Sequence, residues 1–225
     1  MKIVCISDTH RMFANLKIPE AEVLIHAGDI DSYEFNSELK DFNKWLGTIP
    51  CKHKIVIAGN HDGFIDKNPK QKTIDILTNA TYLESSGIEI NGVKFWGAPF
   101  TPIFNNWFFM LPTDMLKEEW EKIPLDTDIL ITHGPPMGIL DHVWIGNRHV
   151  GCPFLAQRIK EVKPKLHVFG HIHEQYGIIR ESFRVSPTEV HNITYINCSV
   201  MDEQYDMINS PISLYYYKET GDVVT

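Results

Sequence analysis

Five hydrophobic runs, each ending in a polar cluster, constrain the fold of this chain more than any other feature. The runs span 2–7, 22–27, 54–58, 128–132 and 165–169. Each has the length and β-branched content of a buried strand. Residues rich in Asp, Asn and His follow every run, and open α/β sheets hold their ligands just beyond the carboxyl ends of the strands. The pattern predicts an α/β protein in which distant residues converge on one rim.

Helical periodicity between the runs predicts how the strands are connected. Apolar residues recur at spacings of four, three and four between the second and third runs, at Phe35, Leu39, Phe42 and Leu46. This spacing predicts an amphipathic crossover helix, with Ser32 as a candidate cap and Gly47 as its stop. A second helix is predicted over 151–162. Strand–helix–strand order implies parallel pairs with right-handed connections.

Two hairpin signals add antiparallel strands to this core. Short runs at 87–90 and 93–97 flank Asn91-Gly92, a typical hairpin turn. A second pairing is predicted between 193–198 and 212–217. The sequence therefore predicts two packed mixed β-sheets flanked by helices, in one domain that covers 1–225.

The polar clusters contain seven candidate metal ligands and no thiolate. They are Asp8, His10, Asp29, Asn60, His133, His171 and His173. One ion rarely uses so many donors, whereas two divalent ions that share a bridging carboxylate use them well. Mixed imidazole, carboxylate and amide ligands favour Mn²⁺ as the first expectation, with Fe, Zn²⁺, Co²⁺ or Ni²⁺ as alternatives and Ca²⁺ disfavoured.

The expected chemistry is hydrolysis of a phosphate ester. Two divalent cations would make a cationic pocket on a chain whose formal charge is −8. A water bridging them would become hydroxide near neutral pH and attack phosphorus in line. His61 is the candidate proton donor to the leaving oxygen, and Asp62 is predicted to orient its imidazole.

The order of motifs, DTH, GDI, GNHD, HG and GHIH, resembles the calcineurin-like metallophosphoesterase superfamily. That resemblance implies a four-layer α-β-β-α sandwich. It also implies that Asp29 bridges two metals, with His61 as the catalytic histidine and Asp62 as its partner. The first metal would be held by Asp8, His10, Asp29 and His173. The second would be held by Asp29, Asn60, His133 and His171.

Further segments are similar to the brain-type metallophosphoesterase-domain proteins and to class III cyclic nucleotide phosphodiesterases. These segments are 97–99, the region of Asn106 and Trp107, 132–136, 150–152, 163–173 and 197–203. The resemblance implies a phosphodiesterase for small phosphodiesters, with cyclic nucleotides among the candidates. A phosphomonoesterase is the alternative, and a nuclease or a binding module without catalysis is less favoured. Asp31 departs from the expected pattern, which has a less acidic residue there.

Charge and composition limit which partners and which cellular compartment are expected. The acidic balance and the lack of a basic stripe argue against long nucleic acid, so a small phosphoester or nucleotide is the expected partner. No apolar stretch approaches the ~20 residues that cross a bilayer, and no cleaved signal is expected. The four cysteines form no CxxC pair, which favours a reduced, cytoplasmic protein. A homodimer is left open.

The remaining histidines and the aromatic segment have competing interpretations. His26 and His167 lie inside strand runs and are interpreted as core or supporting groups, whereas His53 and His191 are expected to be solvated. His142 and His149 could line a pocket or lie on the surface. The aromatic segment 95–109, which contains Trp107, is interpreted as core or dimer packing rather than as a base-stacking wall.

Overall fold

The computed structural model describes residues 1–186 and 189–225. The strands are β1 (Lys2–Ile6), β2 (Ala21–Ala27), β3 (Cys51–Ile57), β4 (Thr81–Tyr82), β5 (Ser86–Ile90), β6 (Val93–Ala98), β7 (Thr101–Pro102), β8 (Met110–Leu111), β9 (Ile129–Thr132), β10 (His142–Val143), β11 (Arg148–His149), β12 (Leu166–Phe169), β13 (Gly177–Ser186), β14 (Glu189–Asn197), β15 (Ile212–Tyr217) and β16 (Asp222–Val224). The α-helices are α1 (Asn36–Leu46), α2 (Gly63–Asp66), α3 (Lys70–Ile76), α4 (Thr113–Glu121) and α5 (Pro153–Val162). Short 3₁₀ turns cover Phe13–Asn15 and His173–Gln175. All five hydrophobic runs are strands, as predicted.

The strands form two large mixed sheets and two small two-stranded ribbons. The first sheet has the order β16-β15-β1-β2-β3-β4, in which β1 to β4 run parallel and β15 is antiparallel to β1. The second has the order β13-β14-β12-β9-β6-β5, with parallel pairs from β14 to β6 and antiparallel edges. The parallel strands of each sheet therefore present their carboxyl ends on a common edge.

The predicted hairpin between β5 and β6 is confirmed. Its turn residues Asn91 and Gly92 have φ of 51° and 77°. Positive φ at both central positions matches the right-handed twist of the flanking strands, which is why Asn-Gly is favoured there.

Each central strand is buried on both faces, which explains why the runs read as continuous apolar stretches. On β1, Ile3 and Cys5 belong to the core between the sheets, whereas Val4 and Ile6 pack towards α1 with Leu39. On the outer face of the second sheet, α4 and α5 bury Leu116, Trp120, Leu155 and Ile159. The layers are helix, sheet, sheet and helix, so the predicted α/β fold of two packed mixed sheets is confirmed.

The predicted pairing of 193–198 with 212–217 is wrong. β14 pairs with β13 and β12 in the second sheet, whereas β15 pairs with β1 and β16 in the first. The segment between them crosses from one sheet to the other, and a parallel bridge between Ser7 and Ser199 marks the crossing. β14 and β15 are neighbours in sequence, but they lie in different sheets because β15 pairs with the outer side of β1.

The helix predictions hold with changes at their starts. Phe35 occupies the N-cap position of α1 and is 62% exposed, so it does not join the buried face of Leu39, Phe42 and Leu46. Ser32 is not the cap, because its N–H and hydroxyl donate to Asp62. Gly47 ends the helix, as predicted.

The start of α5 also lies later than predicted. The sulfur of Cys152 accepts the N–H of Leu155 at the N-terminus of this helix. Proline follows at the first helical position, where its missing N–H is tolerated.

All four cysteines are free and buried, as expected of small core residues. No helix in the described part of the chain has the length and apolar character needed to cross a bilayer. The single domain over 1–225 stays a prediction.

Candidate metal centre

The loops that follow β1, β2 and β3 are joined to one another by hydrogen bonds. The N–H of Asp8 donates to the carbonyl of Gly28 (2.9 Å), and the N–H of Thr9 donates to the carbonyl of Asp29 (3.0 Å). The N–H of His61 donates to Oδ1 of Asp29 (2.8 Å). Strand ends that are far apart in sequence are thereby brought to one place.

Several candidate ligands adopt the left-handed backbone conformation. Asp8, His10, Asp29 and His171 have φ of 53°, 38°, 57° and 70°. This conformation is uncommon for residues with a side chain and occurs at sites where the surroundings over-determine it. It turns each side chain out of its strand direction and towards the rim.

Glycines of the motifs permit close approach at the same rim. A Cβ at Gly59 would collide with the Asp29 carboxylate and the His133 ring. A Cβ at Gly170 would collide with the Asp8 carboxylate and the Ser7 side chain. The GN and GH motifs therefore need glycine because the carboxylates pack directly on the backbone.

The structure brings the candidate ligands into overlapping groups of donor atoms. The groups are Asp8–His10–His173, His10–Asp29–His61 and Asp29–His133–His171, and the donor atoms within each lie within 4.8 Å of one another. Asn60 joins the last group, because its Oδ1 lies 2.9 Å from Nε2 of His133. Asp29 is shared by the second and third groups, and His10 by the first and second, so the Asp29 carboxylate lies where a bridging ligand is required.

The spacing of individual donor atoms suits ligands of one ion. Nε2 of His133 lies 3.3 Å from Oδ1 of Asp29, Nε2 of His173 lies 3.5 Å from Oδ1 of Asp8, and Nε2 of His10 lies 3.8 Å from Oδ2 of Asp29. Two ligands bound at ~2.1 Å from a metal ion are separated by roughly 3–3.5 Å. Small adjustments would therefore close these groups around cations.

Burial and missing partners support the same conclusion. The side chains of Asp8 and Asp29 are buried. Nε2 of His10 is buried and, within 1–186 and 189–225, has no hydrogen-bond partner. Buried charges and unpaired polar atoms are costly unless something compensates for them. Divalent cations would supply both the charge and the missing bond, so the residues present fit such ions.

Backbone carbonyls orient two of the imidazoles. Nδ1 of His133 donates to the carbonyl of Ala27 (3.0 Å), and Nδ1 of His173 donates to the carbonyl of Asp202 (2.9 Å). Each ring therefore presents Nε2 to a carboxylate. Supporting bonds of this kind fix the orientation of metal-ligating histidines.

Charge pairing shifts the pKa values of these groups in opposite directions. Burial alone would lower the pKa of His133, but the Asp29 carboxylate outweighs it and raises the pKa to about 9. Asp8 likewise raises the pKa of His173 to about 9 against the effect of burial. Burial lowers the pKa of His171 to about 3. Without cations, protons on His133 and His173 neutralise the buried carboxylates.

His26 and His167 support the site from inside the sheets. Nε2 of His26 lies 3.0 Å from the hydroxyl of Thr9, and Nε2 of His167 lies 2.7 Å from the hydroxyl of Thr132. Burial lowers the pKa of both rings to about 3, so they are neutral. The prediction of buried supporting groups is confirmed.

His53 and His191 differ from the predicted solvated groups. His191 is buried, and its Nε2 donates to the carbonyl of Pro164 (3.3 Å). His53 is half-buried.

The predicted contact between Asp62 and the His61 ring does not form. The Asp62 carboxylate is buried and accepts the N–H groups of Ile30 (3.3 Å), Ser32 (3.0 Å) and Gly59 (2.8 Å), together with the Ser32 hydroxyl (3.1 Å). Asp31 lies beside the ring instead, with its Oδ1 3.9 Å from Nδ1 of His61. Asp62 therefore joins the loop of Gly59 to the loop of Ile30 and Ser32, because its carboxylate accepts N–H groups from both.

A cavity of about 730 Å³ opens beside these groups. Asp29, Asn60, His61, His171 and His173 line its floor. A volume of this size accommodates a nucleotide-sized ligand.

The aromatic segment divides between core and cavity. Phe95 and Trp96 are buried, whereas Trp107 and Phe104 line the cavity. The Trp107 ring lies on His61 with centroids 4.3 Å apart, and Phe104 lies 5.2 Å from the His171 ring. Core packing is therefore confirmed for Phe95 and Trp96, whereas Trp107 and Phe104 form part of the cavity wall beside the site.

The loop with His142 and His149 also divides. His149 lines the cavity, and its Nδ1 lies 2.6 Å from the buried Asp141 carboxylate. His142 is hydrogen-bonded to Asn147 (2.7 Å).

Sequence reasoning missed Tyr205 altogether. Its ring lies 4.8 Å from that of His10 and 5.0 Å from that of His173. Burial, followed by the carboxylates of Asp29 and Asp8, raises the pKa of its phenol. No local pattern singles it out, because it lies in an irregular segment well beyond the last metal motif.

Comparison with known proteins agrees with this geometry. The family model of the calcineurin-like phosphoesterases matches residues 1–175. The chain belongs to this family, which consists of metal-dependent hydrolases of phosphoesters. The predicted recognition is confirmed.

Individual relatives cover most of the chain. Metallophosphoesterase domain-containing protein 1 of Homo sapiens is 39% identical over 235 residues, covering 94% of this chain and 69% of the human protein. A UPF0046 protein of Caenorhabditis elegans is 36% identical over 233 residues, covering 98% of this chain and 77% of that protein. One solved crystal structure superposes with a TM-score of 0.66 at 13% identity, covering 99% of this chain and 96% of the other. At that identity the likeness concerns the fold alone.

Proposed function

We propose that this protein is a metal-dependent phosphodiesterase acting on small phosphodiesters, with cyclic nucleotides among the candidate substrates. The observation that carries the proposal is the sharing of Asp29 between adjacent groups of donor atoms at the floor of an open cavity. Mn²⁺ is the first candidate metal because the donors mix imidazole, carboxylate and amide groups.

The ligands divide into two sets that share one carboxylate. Asp8, His10, Asp29 and His173 would hold one ion, and Asp29, Asn60, His133 and His171 would hold the other. When bound, the two ions would supply Lewis acidity, lowering the pKa of a coordinated water and binding phosphate oxygens.

His61 is proposed to assist the leaving group. It lines the cavity beside Asp29, its ring packs on Trp107, and its Nδ1 lies 3.9 Å from Oδ1 of Asp31. An imidazole in this place can donate a proton or a hydrogen bond to the departing oxygen. Asp62 contributes by holding the turn that carries His61, since its hydrogen bonds join the Gly59 loop to Ile30 and Ser32.

The size of the cavity is compatible with a diester. Its volume of about 730 Å³ is large enough for a phosphate with two ester arms. A small phosphoester or nucleotide is accordingly the proposed partner, and the cytoplasm is the proposed compartment.

Hydrolysis of a matched ester pair tests the proposal. Metal-free protein is reconstituted with Mn²⁺ and assayed on bis-p-nitrophenyl phosphate and on p-nitrophenyl phosphate. The diester should be hydrolysed with the higher kcat/KM. His61→Ala should lower kcat by about 10²–10⁴-fold, while elemental analysis shows unchanged Mn²⁺ content.

His53→Ala is the matched control, since His53 lies within β3, away from the cavity lining. It should retain wild-type kcat. A preference for the monoester would replace the proposal with a phosphomonoesterase. Failure to hydrolyse either ester with Mn²⁺, Fe, Zn²⁺, Co²⁺ or Ni²⁺ would refute it.

A further inference from the structure

The Tyr205 ring covers the first group of candidate ligands. Its centroid lies 4.8 Å from that of His10, 5.0 Å from that of His173 and 6.3 Å from that of His61, with edge-on geometry in each case. Tyr205 lines the cavity, whereas the His10 side chain beneath it is only 8% exposed. The ring therefore restricts the movement of two imidazoles that the proposed function assigns to one cation.

The backbone of Tyr205 is held in an unfavourable conformation. Its φ is 64°, in the left-handed region that a bulky residue rarely adopts. The turn that holds it is well bonded. The N–H of Tyr205 donates to the carbonyl of Asp202 (3.0 Å), and Oδ1 of Asp202 accepts the N–H groups of Gln204 (2.9 Å) and Asp206 (2.8 Å). Strain maintained by so many bonds is characteristic of functional sites.

The same turn also orients a candidate ligand. The carbonyl of Asp202 accepts the hydrogen bond from Nδ1 of His173 (2.9 Å) as well as the N–H of Tyr205. One residue therefore sets the direction of the His173 imidazole and the position of the Tyr205 ring that packs against it.

The Tyr205 hydroxyl is available for a ligand. Across 1–186 and 189–225 it has no hydrogen-bond partner, and the residue is 48% exposed in the wall of the cavity. A phenol at neutral pH is protonated and can donate. A phosphoester held over the floor of the cavity would offer anionic oxygens to such a donor.

We propose that Tyr205 has two separable roles at this site. Its ring is a positioning group for His10 and His173, and its hydroxyl binds an oxygen of the phosphoester. The first role depends only on packing around the ligands. The second rests on the proposed phosphoesterase function.

Two substitutions separate the roles. Tyr205→Phe keeps the ring and removes the hydroxyl, whereas Tyr205→Ala removes both. Tyr215→Phe is the matched control, because Tyr215 lies on β15 with a similar exposure of 49% and does not line the cavity.

Three measurements are made on each full-length variant. They are the apparent Kd for Mn²⁺ from titration of metal-free protein, the Kd for inorganic phosphate on the Mn²⁺-loaded protein, and kcat/KM on bis-p-nitrophenyl phosphate. Tyr205→Phe should bind Mn²⁺ as the wild type does, while losing about 10–100-fold in phosphate affinity and in kcat/KM. Tyr205→Ala should in addition weaken Mn²⁺ binding by about 10-fold. Tyr215→Phe should match the wild type throughout.

A different result would contradict each of the two roles. Wild-type phosphate affinity and kcat/KM in Tyr205→Phe would overturn the hydroxyl role, and wild-type Mn²⁺ affinity in Tyr205→Ala would overturn the ring role. If the wild type hydrolyses no ester, the proposed function fails. The Mn²⁺ and phosphate titrations still decide the roles of Tyr205 in that case.

Discussion

Two buried carboxylates dominate the site at the scale of single residues. Within 1–186 and 189–225, the ion pairs of Asp8 and Asp29 are all with histidines. Imidazoles neutralise them only while protonated, so the charge balance of the site depends on what else binds there. Cations and protons therefore compete for the same place.

Asp62 is a structural residue in this arrangement, which Asp62→Asn tests. An amide offers one acceptor oxygen and an NH₂ group where four donors converge on the carboxylate. The substitution should lower the free energy of unfolding by about 1–3 kcal/mol, measured by urea denaturation of metal-free protein.

Asp31, which is half-buried beside the His61 ring, supplies the comparison. Asp31→Asn changes a carboxylate that is not at the centre of such a network, and it should leave the free energy of unfolding within about 0.5 kcal/mol of wild type. Equal stability of Asp62→Asn and wild type would show that the network of Asp62 is not required.

At the scale of elements, each strand end delivers a separate part of the site. β1, β2 and β3 lead to Asp8, Asp29 and Asn60, whereas β9 and β12 lead to His133 and His171. The positions of these side chains are well defined because the backbone of the loops packs directly against the Asp8 and Asp29 carboxylates. The glycine between a strand and its loop therefore helps to set these positions, as Gly170 illustrates at the end of β12.

Gly170→Ala should weaken metal binding without removing any ligand. A Cβ there would collide with the Asp8 carboxylate and the Ser7 side chain, so Asp8 must move. Displacing a ligand in this way should lower Mn²⁺ affinity by about 10–100-fold, measured by titration of metal-free protein.

Gly134→Ala is the matched control, since Gly134 follows His133 at the end of β9. Its added Cβ would approach the Thr101 methyl group at 3.0 Å, which can shift, and would lie at an ordinary contact distance of 3.8 Å from the His171 ring. Metal affinity close to wild type is expected there. Unchanged affinity in Gly170→Ala would mean that the Asp8 loop adapts freely.

At the scale of the whole molecule, the site joins the two sheets. Asp8, His10, Asp29 and Asn60 follow strands of the first sheet, and His133, His171 and His173 follow strands of the second. Cations bound between them would cross-link the sheets in addition to the apolar core. Ligands that bind only the folded state raise its stability.

Metal stabilisation should therefore depend on pH. His133 and His173 have pKa values raised to about 9, so both carry protons at neutral pH that a cation must displace. Below pH 9 the affinity should fall by about tenfold per pH unit for each proton released. His171, with its pKa lowered to about 3, is already neutral and adds no such dependence.

Melting curves with Mn²⁺ and with chelator at pH 6, 7 and 8 measure this effect. The increase in Tm caused by Mn²⁺ should be several degrees at pH 8 and should shrink towards pH 6. Ca²⁺ is the control ion and should give a smaller increase. The same Mn²⁺ increase at every pH would contradict protonated His133 and His173.

Much of the fold and of the ligand set follows from local sequence. Strands buried on both faces must be continuously apolar, and the chain leaves each parallel strand at the same edge, so the runs before Asp8, Asp29, Asn60, His133 and His171 place these residues together. Helical spacing predicts α1 and α5 for the same local reason. Asn91-Gly92 predicts its hairpin because two positive φ angles are needed there.

Other features depended on the tertiary structure alone. Asp31 rather than Asp62 lies beside the His61 ring, β15 pairs with β1 rather than with β14, and Tyr205 covers the ligands from a distant turn. Each of these is a contact between segments whose relative placement is set by how loops cross between the sheets. Short-range spacing carries no information on that crossing, because it is decided by the packing of the whole core.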